Sequence, residues 1–441
     1  MGDAVAVFPS ALPTHRSNDT EHEYRQDSDF FFLSGFEEPH SVFVLAPAHP
    51  VTKSILFLRR RDSERERWDG PRTGVEGAGP RYEVDAAYGI EELDERLPEL
   101  LATSDKLYYA FADNEAFNHR IVRELKRYHD ERARTDRGPI AVADPSSIIH
   151  ELRVKKSPED VAALRRAVRI SGEGHMAAMR YSRPGMYEYE IEAIVEYTFA
   201  RLGAQAVAYP SIVAGGPNAT ILHYNKNREA VPDGSLVLID AGAEADYFCG
   251  DITRTWPISG KFSAEQQAVY EVVLEAQRRA IAMCRPGTRV SRTVELKGTN
   301  GKVNGTFHAA AVKAVVEGLL DLGLLSGSFE ENIERQLYHR FFMHGTGHWL
   351  GMDTHDVGSY RADGDWRPLE PGMVVTVEPG IYIPQDSSVD ERFRGIGIRI
   401  EDDVLITENG CDVLSADTPK TIAEIEALIA QGRAGATPLI A

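Results

Sequence analysis

Short runs of apolar and β-branched residues at positions 41–46, 54–58 and 106–111 predict strands. Between and after them, residues 90–101 and 114–128 space their apolar positions as a helix does. The first 150 residues therefore predict a compact α/β domain with its own sheet. Within it, Phe30, Phe31 and Phe32 are expected in the core. Trp68, in the charged and Gly/Pro-rich stretch Arg67-Trp-Asp-Gly-Pro, is an odd core residue and is expected to cover a cleft or an interface.

A boundary falls near Asp144-Pro-Ser, giving a second domain over 151–441. Ser157-Pro-Glu-Asp reads as an N-cap with proline in the first turn, and Val161, Leu164, Ala167, Val168 and Ile170 continue it as a long helix. A turn at Arg183-Pro-Gly leads into a second helix carrying Ile191, Ile194, Val195 and Phe199. A third helix over 264–284 ends in another Arg-Pro-Gly, at 285–287. The repeated punctuation points to an internal duplication. Residues 298–305 read as a Gly/Asn-rich loop. After Asp417 the pattern predicts a short amphipathic helix (Ile422, Ile425, Leu428, Ile429) and a frayed tail.

Length and charge narrow the function classes. The 441 residues carry a net charge of −19, and a phosphate backbone or anionic membrane needs a basic face. Nucleic-acid and membrane partners are therefore not expected. No stretch is long and apolar enough for a transmembrane helix, and the N-terminus does not read as a signal peptide. Cys249, Cys284 and Cys411 form no C-x-x-C pair, which argues against a disulfide framework or a thiolate metal site and favours a reduced, cytoplasmic setting.

The chemistry gathers in one stretch, 342–355. His344, His348 and His355 lie there among Gly345, Gly347 and Gly351. Four acids join them. Asp240 interrupts the apolar run Leu236-Val-Leu-Ile, and Asp251 heads Ile252-Thr-Arg-Thr. Glu378 ends Val374-Val-Thr-Val, and Glu401 follows Ile398-Arg-Ile, with Arg399 two residues before it. A carboxylate in an apolar strand is costly unless it is paired or on a metal. The segments bearing Asp240 and Asp251 are close enough to form a β-hairpin that would set the two acids side by side, where a divalent cation would relieve their repulsion. Four carboxylates with an imidazole are a hard donor set suited to Mn²⁺, with Co²⁺ or Zn²⁺ able to enter. Two such ions sharing Asp251, Glu401 and a bridging hydroxide would make a nucleophile for a carbonyl.

At these residues the chain resembles the pita-bread metallopeptidases, and among them the Xaa-Pro aminopeptidases. The resemblance runs over nearly the whole chain. It rests on Asp-Ser-Asp-Phe at 27–30, Ser-Gly-Phe-Glu-Glu-Pro at 34–39, Val-Leu-Ile-Asp-Ala-Gly at 237–242 and Gly-Asp-Ile-Thr-Arg-Thr at 250–255. Met-His-Gly-x-x-His-Trp-Leu-Gly at 343–351, Val-Glu-Pro-Gly at 377–380 and Gly-Ile-Gly-Ile-Arg-Ile-Glu-Asp-Asp at 395–403 complete it. It implies a smaller N-terminal α/β domain of the creatinase type over 1–150, serving oligomerisation and cleft cover. It implies a duplicated pita-bread catalytic domain over 151–441. Asp240, Asp251, His348, Glu378 and Glu401 would hold two metal ions. His344 and His355 would act on substrate and oxyanion, with Glu378 also shuttling a proton. His223, Tyr382, Arg399 and Trp68 would serve the substrate, Arg399 by orienting carboxylates and Trp68 from a neighbouring subunit. The implied reaction is hydrolysis of an N-terminal Xaa-Pro bond by a cytoplasmic homo-oligomer, dimer or tetramer.

Two departures stand out. The chain opens without the helical lead-in of many relatives, and the segment 293–307 is about a dozen residues longer than the family pattern. The nearest rival is a prolidase, which shares all five ligands. A loop arginine clamping the substrate's C-terminus would favour dipeptides, and Arg72 and Arg367 are the candidates. A methionine aminopeptidase usually lacks the first domain. A non-catalytic pita-bread binding protein, or a metal-free creatinase-like amidinohydrolase, would not keep all five ligands.

Overall fold

A computed structural model describes residues 1–111, 114–294 and 305–435. The expected tail beyond 435 lies outside the described residues. So does nearly all of the 298–305 loop, and with it most of the 293–307 segment. The chain divides into two compact units, Met1–Leu152 and Arg153–Ala441.

The first unit is a mixed six-stranded sheet in the order Ala86–Gly89, Ser54–Leu58, Val42–Leu45, Val5–Pro9, Lys106–Tyr108, Ala141–Ala143. Its strands alternate between two cores, as the two-residue period of a strand requires. Val5, Val7, Val44 and Phe57 pack on one face with Leu97 and Ile121 from the helices Leu93–Leu101 and Glu115–Thr135. Ala6, Phe8, Phe43 and Leu56 pack on the other with Phe30 and Phe36. Of the three consecutive phenylalanines only Phe30 is fully buried, because they lie on the helix Ser28–Ser34 and successive side chains point in different directions.

In the second unit Ser157 caps the helix Pro158–Tyr181. Its hydroxyl accepts the Asp160 N–H (3.1 Å) and the Asp160 carboxylate accepts the Ser157 N–H (2.9 Å). That helix packs on Glu188–Arg201, and Ala264–Met283 packs on Phe307–Asp321. Each pair is followed by a three-stranded antiparallel sheet. The first sheet orders Ile212–Gly215, Leu236–Ala241 and Ile252–Pro257. The second orders Val374–Val377, Asp402–Thr407 and Gly410–Val413. The two halves meet where Thr253 bridges Glu401 antiparallel, the Glu401 N–H donating to the Thr253 carbonyl at 3.1 Å. One core with Phe199, Trp256, Tyr270 and Trp349 runs through both halves. No described helix is long and apolar enough to cross a membrane.

The hairpin expectation needs one correction. Leu236–Ala241 and Ile252–Pro257 do pair, but the connection folds into a second small hairpin, Ala243–Ala245 with Phe248–Cys249. The register sets Asp240 opposite Thr253 rather than Asp251.

Candidate metal and peptidase site

The strand ends of both halves converge on one place. Asp251, His348 and Glu401 each present a ligand atom, and these atoms lie within 4.8 Å of one another. His348 Nε2 is 3.4 Å from Asp251 Oδ2 and 4.0 Å from Glu378 Oε1. Asp240 joins through a residue that sequence reasoning missed. The half-buried Tyr209 sets its hydroxyl 2.6 Å from Asp240 Oδ1 and 2.5 Å from Asp251 Oδ1. Its one proton cannot serve both oxygens. Burial, then the charges of Asp240 and Asp251, push the Tyr209 pKa well up, so it stays a phenol.

The two-residue period explains the rest of the carboxylate shell. Arg399, Glu401 and Asp403 share a strand face. Arg399 Nη2 donates to Asp240 Oδ2 at 2.6 Å, and its Nε to the Thr253 hydroxyl at 3.2 Å. The Thr253 hydroxyl donates to Glu401 Oε2 at 2.6 Å. Asp403 Oδ2 accepts the Asp251 N–H at 3.1 Å. Asp402 points the other way, to the fully buried Arg254 (2.7 Å), whose Nη1 donates to the Glu401 carbonyl (2.5 Å). Burial would raise the Asp402 carboxyl, but Arg254 and Lys420 outweigh it and hold it well below the carboxylate range.

The histidine loop is shaped by backbone contacts. The Thr376 N–H donates to the His348 carbonyl (3.0 Å), and the Glu378 N–H to the Thr346 carbonyl (2.8 Å). A Cβ on Gly347 would stand 1.9 Å from the Thr376 carbonyl oxygen, so only glycine lets the loop lie this close to the strand. His348 Nδ1 lies 2.9 Å from the Trp349 carbonyl, which calls for an N–H there and turns Nε2 toward the acids. His344 uses both nitrogens. Nδ1 is 2.7 Å from the Gly345 carbonyl and Nε2 is 2.8 Å from the Tyr382 hydroxyl, which accepts from Arg399 Nη1 at 3.0 Å. Burial, then the nearby Arg399 charge, lower its pKa to about 3, so it is a neutral ring. His355 is exposed, and its ring stands edge-on to that of His348 with centroids 4.3 Å apart.

The electrostatics test whether a metal suits this place. Burial, then repulsion from Asp251, raises Glu401 far above the carboxylate range. Burial pushes Glu378 up to about 7 although His348 and Arg399 oppose it. Burial also raises Asp251, against its bond to His348. Burial alone would lower His348, but its hydrogen bond to Asp251 and the surrounding charge raise it to about 9. Buried acids that resist ionising beside one another are stabilised by a divalent cation. An all-oxygen set with one imidazole and no thiol fits that chemistry.

The remaining expected residues fall in different places. His223 is exposed, and its charge is felt by His355. Tyr382 has no exposed surface, so it stands behind His344 rather than offering a pocket wall. Arg367 is buried, with Glu370 3.7 Å away. Trp68 and Arg72 belong to the first unit. Trp68 is 86 % exposed, and Arg72 pairs with Asp69 at 3.5 Å. Behind His355, Asp356 accepts from Arg153 (2.6 Å) and Lys156 (2.9 Å), all three buried.

The chain is similar to known proteins over nearly its whole length. Residues 162–408 match metallopeptidase family M24, and residues 1–108 match the aminopeptidase P N-terminal domain. The Xaa-Pro aminopeptidase of Haemophilus influenzae is 43 % identical over 97 % of this chain and 93 % of its own length. A solved aminopeptidase of Pseudomonas aeruginosa has TM-score 0.92 at 46 % identity, covering 98 % of this chain and 95 % of that one. The zinc-substituted aminopeptidase P of Escherichia coli in complex with product has TM-score 0.91 at 41 % identity, covering 98 % and 95 %.

Proposed function

This chain belongs to metallopeptidase family M24 and, within it, to the Xaa-Pro aminopeptidases, and from that premise we propose that it removes the N-terminal residue from peptides with proline second, using two divalent cations. The observation that carries this is the convergence of Asp251, His348 and Glu401 within 4.8 Å, with Glu378 beside them and Asp240 tied in through Tyr209. Asp240, Asp251, His348, Glu378 and Glu401 would hold the cations, and Mn²⁺ is the ion we propose. When bound, the cations supply a water nucleophile at neutral pH and polarise the scissile carbonyl.

The chain's own residues supply the rest. A free peptide amine is drawn to the acidic cluster. The bond before proline has no N–H, so recognition rests on ring shape. The His344 ring, held neutral by burial and the nearby Arg399 charge, suits an apolar ring better than a charged one would. Glu378, 3.6 Å from His344 Nδ1, takes a proton from the attacking water and returns it to the proline nitrogen. His355 donates to the developing oxyanion, and His223, near enough for its charge to reach His355, serves the substrate. A cytoplasmic homo-oligomer is part of the proposal. The exposure of Trp68 supports a role at a neighbouring subunit, which sedimentation of wild type and Trp68→Ala checks.

The test is hydrolysis of Xaa-Pro against Xaa-Pro-Xaa, with Mn²⁺ and then with chelator. The tripeptide is cleaved only with metal. Cleavage of the dipeptide alone would make the protein a prolidase, and no cleavage of either by the metal-loaded protein would end the peptidase reading.

A further inference from the structure

Beside the histidine loop lies an arginine that the reaction above does not use. Residues 288–291 run antiparallel to 366–369. The Val290 N–H donates to the Arg367 carbonyl (3.0 Å), the Leu369 N–H to the Thr288 carbonyl (2.7 Å), and Arg289 pairs with Asp365 at 3.1 Å. This pairing delivers Arg292 onto Gly345. A Cβ at Gly345 would stand 2.5 Å from the Arg292 Cζ, 2.6 Å from its Nε and 2.8 Å from an Nη. Gly345 does not have a positive φ, so the backbone does not demand glycine there. The missing side chain is what lets the Arg292 guanidinium lie against the loop in this position.

Arg292 is exposed, and among the described residues it makes no hydrogen bond and no ion pair. Its neighbours are occupied: Arg289 by Asp365, Arg361 over the Trp366 ring (4.3 Å), and Arg367 by Glu370. In a chain with 68 acidic and 49 basic residues, a cation seated beside the site with no partner among the described residues stands out. Its charge reaches His344, His308 and Tyr360. The acids thus gather around His348, while the Arg292 guanidinium lies against Gly345, next to His344 in the loop.

We propose that Arg292 is a specificity-determining residue that binds a carboxylate on the leaving side of the peptide. The proposal rests on the peptidase reading. With the amine at the acids and the proline ring against His344, the next group falls toward Arg292, since one residue spans about 3.5 Å. A guanidinium fork matches a carboxylate. That carboxylate can be the free C-terminus of a short peptide or an acidic third side chain.

The experiment compares three peptides with Mn²⁺ present: Ala-Pro-Ala as free acid, Ala-Pro-Ala amide, and Ala-Pro-Glu amide. For an exposed pair, wild type should favour the acid over the amide by about two- to fivefold in kcat/KM, mostly through KM. The preference should shrink at about 0.5 M salt. Arg292→Ala should bring the ratio close to one. Ala-Pro-Glu amide tracking the free acid assigns recognition to any carboxylate, whereas tracking the amide assigns it to the C-terminus. An acid-to-amide ratio of one in wild type, or a ratio that survives Arg292→Ala, overturns the proposal while the peptidase reading stands. No cleavage of any of the three overturns both.

Discussion

At the scale of single residues, ligands and their supports should separate by experiment. Asp251 is a direct ligand candidate, and Tyr209 touches the cluster only through carboxylate oxygens. Asp251→Asn should abolish activity with the fold intact. Tyr209→Phe should cost about 10- to 100-fold in metal affinity or kcat/KM, the range for a residue that orients ligands. Metal titration with parallel circular dichroism checks both. Wild-type metal affinity in Tyr209→Phe would remove the tyrosine from the site. Nothing in Ala208-Tyr-Pro-Ser marks that tyrosine, because its partners lie 31 and 42 residues away in sequence. Asp403 was more accessible to reasoning, since it lies two residues past Glu401 and so shares its strand face.

At the scale of elements, the loop bearing His355 is held by charges rather than by regular structure. Asp356 meets Arg153 and Lys156 out of water, and Arg153 also reaches Asp353 at 2.7 Å. Burial pulls the Lys156 pKa down, and Asp356 opposes that. Asp356→Asn would leave Lys156 charged and unpartnered, which costs about 3–5 kcal/mol for a buried pair broken from one side. It should also lower kcat, because His355 is the preceding residue. Urea unfolding at pH 7 measures the first effect. A loss under about 1 kcal/mol would mean that the loop is anchored elsewhere. The helices on which this loop and the strands rest were legible. Ser157 with Pro158, and the two Arg-Pro-Gly turns, mark helix ends through capping chemistry that needs no tertiary partner.

At the scale of the molecule, acid should weaken the fold through buried histidines outside the ligand set. Burial lowers His175 and His308 to about 4, against about 6.5 in an unfolded chain. Between those values the unfolded chain binds more protons. The stability is full above about pH 6.5 and is lost as pH falls toward 4, by at most about 3 kcal/mol per histidine. The urea midpoint should therefore drop between pH 7 and 4.5, and His175→Gln should flatten that slope. A variant slope equal to wild type would show that His175 is not the titrating group.

The sequence by itself determined the elements and the residue types at the site, because strand period, helix capping and the cost of an acid in an apolar strand are local properties. The tertiary structure decided which acids meet. It set Asp240 opposite Thr253 and folded the intervening segment into its own hairpin. It joined the halves at Thr253 and Glu401, turned Tyr382 inward behind His344, and laid Arg292 over Gly345. Those outcomes depend on register, connection geometry and the space between distant segments. A one-residue change of register would send each of these side chains to the opposite face.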